Sequence, residues 1–262
     1  MIRYIRLYLY FLRFSISKAL EFRVDFYFRV LMDVIFYATQ FMFFNIIYLH
    51  TPILGGWNHD QITLFVASFI FVDAFNMTFF ANNSWWFPTY INRGDLDYYL
   101  TKPVSSFFFM GFKEIAANSF LNLIFAATLL GYFLSNGAID YPGYKLIPFL
   151  LCLINGALLY AMIFLLFLMS VFWTQSPRGF GDVFYTAEKI MHRPDGIFSG
   201  YLRRFFLHIL PFSIMASYPT RYLVTPNSNH LILEIILTSL SVYFVGFLVW
   251  KKGLRDYSSA SS

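Results

Sequence analysis

Five windows of about twenty apolar residues decide what this chain can fold into: Val30–Tyr48, Ile62–Phe80, Ile115–Leu134, Leu146–Phe172 and Leu231–Trp250. Twenty helical residues rise about 30 Å, the thickness of a bilayer's hydrocarbon core. A sixth window, Leu202–Val224, is interrupted by Pro211 and Pro219. Hydrocarbon offers no hydrogen bonds, so each backbone N–H and C=O must be satisfied internally, which a helix achieves. β-barrel strands would alternate polar and apolar residues in runs of about ten, and that alternation is absent. Only 13% of the residues are charged, against about 25% in soluble domains, too few to cover a water-facing surface.

The expectation is therefore one all-α integral membrane domain over residues 1–262, too short to carry an added soluble enzyme domain. Six crossings are placed at about 30–50, 61–81, 115–134, 146–172, 179–224 and 230–250. Lys and Arg set the orientation. Arg3, Arg6, Arg13, Lys18, Arg23 and Arg29 precede the first window, and Lys251, Lys252 and Arg255 follow the last. Arg93, Lys102 and Lys113 lie in or beside the second loop, none lies in Thr51–Asp60, and only Lys145 lies in the third loop. Both termini and the 92–104 loop are thus expected on the cytoplasmic side. This topology accounts for the net charge of +5 without a nucleic-acid partner.

The course of the chain from Thr174 to Leu202 stays open. Arg178, Asp182, Glu188, Lys189, His192, Arg193 and Asp195 make it too polar to face lipid. It is either a cytoplasmic loop, or Gly179–Met191 is an interior-facing span and Tyr201–Val224 a re-entrant hairpin broken at Pro211 and Pro219. The first 28 residues lack the apolar core and small-residue cleavage site of a signal peptide. Arg3, Arg6, Tyr10, Arg13 and Ser17 share one helical face, and Ile5, Leu9, Leu12 and Ile16 another, so an amphipathic interfacial helix is expected. Glu21, Asp25, Arg29 and Asp33 then step by four, the spacing at which ion pairs line a helix.

Catalytic equipment is missing. There is no Gly-x-x-x-x-Gly-Lys-Ser/Thr loop for ATP phosphates. The single cysteine, Cys152, sits inside a window, and five scattered histidines fit no metal spacing. Asp33, Asp73, Glu188 and Glu234 fall within or beside spans, where ionisable groups face a protein interior or a water path. Asp73 with Asn76, and Glu188, are the candidates for lining a pathway. Trp57, Trp85 and Trp86 read as interfacial belt residues.

Between the second and third windows lies a short polar segment, residues 92–104. A basic residue, a glycine, alternating Asp and Leu, two tyrosines and a Lys-Pro stop describe a surface helix of the kind offered to a soluble partner. Arg93-Gly94-Asp95-Leu96-Asp97-Tyr98-Tyr99-Leu100-Thr101-Lys102-Pro103 is similar to the Arg/Gly-acidic-Leu…Leu-x-x-Pro pattern of ABC-2 type transporter permeases. The stretch Leu202-Arg203-Arg204-Phe205 to Leu210-Pro211, with Pro219 beyond, and the closing Trp250-Lys251-Lys252-Gly253-Leu254-Arg255-Asp256-Tyr257 strengthen the resemblance, which covers nearly the whole chain. The polarity of Gly179–Asp195 departs from that family.

The resemblance implies a permease dimer, of identical or paralogous copies, in a bacterial cytoplasmic membrane, and an export function. ATP and magnesium would bind a separate ATPase partner and no cofactor this chain. The 92–104 element would couple to that ATPase, with Leu96, Tyr99 and Leu100 as its apolar face and Arg93, Asp95, Asp97 and Lys102 as its rim. An ATP-independent carrier or channel, and a membrane-embedded enzyme, remain the other readings of the residues.

Overall fold

The structure, a computed structural model, describes residues 2–19, 23–116, 119–136, 139–176, 180–190 and 192–258. Among them the regular secondary structure is helical, apart from an isolated bridge between Leu54 and Trp57. The helices are α1 (Ile2–Ala19), α2 (Arg23–Tyr48), α3 (His59–Phe79), α4 (Ala81–Asn92), α5 (Leu96–Leu100), α6 (Ser106–Phe112) and α7 (Phe120–Ser135). They continue as α8 (Leu146–Leu168), α9 (Val171–Thr174), α10 (Gly181–Glu188), α11 (Gly200–His208), α12 (Phe212–Met215), α13 (Ser217–Val224) and α14 (Asn229–Asp256). Among the described residues, four stretches are long and apolar enough to cross a membrane: Val30–Tyr48, His59–Phe79, Gly143–Thr174 and Asn229–Asp256. Phe120–Ser135 is a shorter apolar helix.

α3 is the centre of the bundle, packed by α2, α4, α7, α8 and α13. Its apolar residues occur all round, the pattern of a helix enclosed by others, and 67% of its window is buried against 11% for α2. α2 instead leaves Leu31, Met32, Ile35, Met42 and Ile46 exposed, an apolar outer surface suited to lipid. Asn58 starts α3 with a capping box: its side chain accepts from the Gln61 N–H at 2.9 Å, and the Gln61 side chain accepts from the Asn58 N–H at 3.1 Å.

The third crossing is not one helix. Between α6 and α7 the backbone around Lys113–Ala116 leaves helical geometry inside the protein, and several of the freed groups there have identifiable partners. The Asn83 amide clamps Glu114 at both ends, donating to its carbonyl at 2.7 Å and accepting from its N–H at 2.8 Å. The Ile115 N–H donates to the Ser15 hydroxyl at 3.2 Å, and the Ala116 N–H to the Thr78 carbonyl at 2.8 Å. This last bond takes a carbonyl that a continuous helix would use itself, which is the local cause of the break between α3 and α4 at Phe80.

In the stretch from Thr174 to Val224, open on sequence, the described residues form short helices, none of them long enough to cross a membrane alone. α10 covers eight residues, about 12 Å, and packs Gly181 and Phe184 against α8. Gly179 and Met191, the ends expected for that span, lie outside the described residues. Beyond it Gly196 meets Gly55, where a Cβ on Gly196 would stand 1.8 Å from the Gly55 carbonyl oxygen. From this far end the chain reaches the middle of α8, where a Cβ on Gly156 would lie 2.2 Å from the Met215 carbonyl oxygen. It then returns along α13. Pro211 separates α11 from α12 as expected, but Pro219 does not mark a break: it sits in the first turn of α13, where its missing N–H costs little. The discontinuity falls at Ala216, with φ −134° and ψ −41°.

Lys145 explains why a lone lysine lies in the third loop. Its ammonium, fully buried, donates to the Tyr222 and Thr225 carbonyls at 3.1 and 2.7 Å and to the Ser228 hydroxyl at 3.0 Å. It therefore caps the negative end of α13. Trp57 is likewise no belt residue. It is buried against Phe65, and the Arg221 guanidinium lies 4.8 Å from its ring.

Candidate coupling element and polar interior

α5 projects between α4 and α6, at the end of the bundle where Asn92 donates to the Gln175 carbonyl and Trp173 to Asp256. Gly94, at φ +77°, turns the chain into it in a conformation that glycine adopts without strain. The segment then divides into an inner and an outer face. Leu96 is 0% exposed and Tyr99 is buried, so the expectation that both present an apolar face outward is corrected: a short helix held by neither would not keep its place. Arg93, Asp95, Tyr98, Leu100, Lys102 and Pro103 are exposed, with Asp97 half-buried between the faces. Leu100 is 45% exposed, and Lys102 sits 4.0 Å over the Tyr98 ring.

Tyr99 ties this helix to the bundle. Its hydroxyl accepts from the Lys113 ammonium at 2.9 Å, which also donates to the Tyr90 hydroxyl at 3.1 Å, and Tyr90 donates to Glu114 at 3.3 Å. Since Glu114 is the residue clamped by Asn83, a polar chain runs from α5 to the break between α3 and α4. α1 braces the same region. Tyr4, Tyr8 and Phe11 meet Phe108, Phe112 and Phe109 edge-on, with centroids 4.8, 6.2 and 5.2 Å apart. Its packing face is thus the Tyr4–Tyr8–Phe11–Ser15 stripe, while Leu9, expected on the apolar face, is exposed. The side chains of Arg3, Ile5 and Ile16, and of the proposed Glu21–Asp25–Arg29 stripe, lie outside those described.

The interior holds a second polar group. Asp73 and Asn76, one turn apart on α3, are both buried, and the Asn76 side-chain oxygen has no partner. Glu188 accepts from the Tyr160 hydroxyl at 2.8 Å, and Asp33 accepts from the Asn122 amide. Glu188 and Asp33 both lie within electrostatic reach of Asp73, so the pathway candidates Asp73, Asn76 and Glu188 share one region. Tyr160 and Asn122 were not legible as members, since an isolated polar residue in an apolar window carries no partner information.

At the far end Asp195 is fully buried. It accepts from Arg221 at 2.9 Å, from Arg203 at 3.1 Å and from the Ser217 hydroxyl at 2.6 Å, while its own N–H donates to Ser217 at 3.1 Å. Three separate elements are joined at one carboxylate.

A helical bundle with four candidate membrane spans among the described residues and a short polar element held at one end is the architecture of a membrane-embedded protein. The description "ABC-2 family transporter protein" matches residues 34–261, and the chain belongs to that family. No curated protein and no solved structure shows significant similarity to it. Members are membrane components of ABC transporters and work with an ABC ATPase, so this chain is a multi-pass permease component.

Proposed function

We propose that the chain is the membrane-spanning subunit of an ATP-driven exporter in a bacterial cytoplasmic membrane. Two copies, or this chain and a paralogue, enclose the pathway, and residues 92–104 receive the motion of a separate ATPase. Six crossings fit this reading: α2, α3 with α4, α6 with α7, α8 with α9, the broken segment from α10 to α13, and α14. Both termini and α5 then face the ATPase, and α11 to α13 form a re-entrant hairpin on the opposite side.

The observation that carries the proposal is the two-faced anchoring of α5. Leu96 and Tyr99 fix it to the bundle, while Arg93, Asp95, Tyr98, Leu100, Lys102 and Pro103 remain open to a partner. A movement of the ATPase pair displaces α5, and the Tyr99–Lys113–Tyr90–Glu114 chain and the Asn83 clamp pass it to the α3–α4 break. Bonds to a charged ammonium resist stretching more than neutral ones do, so this route suits force transmission. ATP hydrolysis belongs to the partner. Mild-detergent purification of the tagged chain from its own membrane, followed by mass spectrometry, tests the assignment. A near-stoichiometric protein with a phosphate-binding loop is expected. Recovery of the chain alone, even after crosslinking before extraction, would remove the basis for it.

A further inference from the structure

We propose that the acidic, aromatic region around α8, bounded by α3, α4 and α10, binds a bulky organic cation, and that this is the class of substrate the pathway carries. The proposal rests on the permease reading for its role in transport, but not for the binding itself.

The outer part of this region is a cleft of about 380 Å3 between α4, α8 and α10, lined by Trp85, Pro88, Phe164, Leu168, Asp182 and Tyr185. Trp85 and Tyr185 stack within it, 5.1 Å apart at 17°, and Phe164 closes the wall 5.2 Å from Tyr185. One turn further along α10, Glu188 holds the Tyr160 hydroxyl, and both interact electrostatically with Asp73. Asp182, Glu188 and Asp73 thus place carboxyls from the cleft mouth to the middle of the bundle.

Two features ask for a positive guest. Asp73 is 8% exposed and, among the described residues, has neither a hydrogen-bond nor an ion-pair partner. The unpartnered oxygen of Asn76 lies one turn away on the same helix face. A buried carboxyl without a counter-ion either stays protonated or takes up a cation, and an orphaned carbonyl oxygen is unfavourable without a donor or a cation. No nearby basic residue relieves them: Lys189 is exposed, and Arg193 lies over the Phe43 ring at 4.1 Å. A bare metal ion does not suit the spacing, since no three His, Cys, Asp or Glu side chains among the described residues are placed to hold one. A large cation does. It can rest its apolar groups on the rings, whose faces attract positive charge, while its charge is shared by separated carboxyls.

The full chain in nanodiscs of zwitterionic lipid, without any ATPase, provides the test. Radiolabelled tetraphenylphosphonium is the probe, and tetraphenylborate, of the same shape and opposite charge, the control. Saturable binding of the phosphonium above empty discs is expected, with no competition by the borate. Glu188→Gln and Asp73→Asn should each weaken binding about tenfold, and Trp85→Ala, at a position that is 56% exposed, several-fold. No saturable binding, equal binding of the borate, or unchanged affinity in both Glu188→Gln and Trp85→Ala would overturn the proposal. Because the ATPase is absent, failure here is distinguishable from failure of the permease reading, which co-purification decides.

Discussion

Leu100→Asp leaves the chain folded and inserted but abolishes transport and transport-stimulated ATP hydrolysis, whereas Leu96→Asp removes the folded chain. The two leucines stand four residues apart on one short helix, and burial alone separates their fates. Leu96 is 0% exposed within the core, so Asp there loses the packing of a buried leucine, about 2–5 kcal/mol, and adds an unpaired buried charge. Stabilities of about 5–15 kcal/mol do not survive much of that. Leu100 is 45% exposed, so Asp there changes the surface offered to the ATPase and little else. Size-exclusion profiles in detergent and hydrolysis by the reconstituted complex separate the outcomes. A well-folded Leu96→Asp protein, or a fully coupled Leu100→Asp protein, would contradict the assignment of the two faces.

Asp195→Ala is expected to destabilise the protein by about 3–5 kcal/mol, because it strands two arginines that the carboxylate neutralises. Arg221 is the more affected, being the less exposed of the pair. Asp195→Asn keeps the shape and one acceptor oxygen and should cost less. In a chain of this size the alanine loss corresponds to a fall of about 10 °C in the midpoint of thermal unfolding. Midpoints for both variants within a degree or two of the parent would show that the carboxylate does not hold these elements together.

The apolar windows made the helical membrane class legible, because the bilayer allows so few backbone arrangements. Residues 92–104 also stood out by residue type as a polar segment between apolar windows. What could not be read were features decided by a distant partner. The window Ile115–Leu134 begins inside a break whose backbone is completed by Ser15, Thr78 and Asn83; nothing near residue 115 announces this. The polarity of Gly179–Asp195 was visible as an anomaly, but its cause is Asp195 pairing with Arg203 and Arg221, which lie 8 and 26 residues further on. Lys145 showed only as a charge that orientation rules did not need, until the carbonyls of α13 gave it a function. In residues 92–104, the sequence pattern put Leu96 and Tyr99 on the outward apolar face, whereas the structure buries both. A five-residue helix is too short for periodicity to say which side is covered.

The most direct test of coupling through residues 92–104 is proximity. Single cysteines introduced at the exposed Asp95, Tyr98 and Lys102, in a Cys152→Ala background, should crosslink to a protein with an ATP-binding loop in native membranes. Cysteines at Thr51 or Asn136, at the opposite end of the bundle, should not. Crosslinks confined to that opposite end, or none from the three exposed positions, would contradict the account.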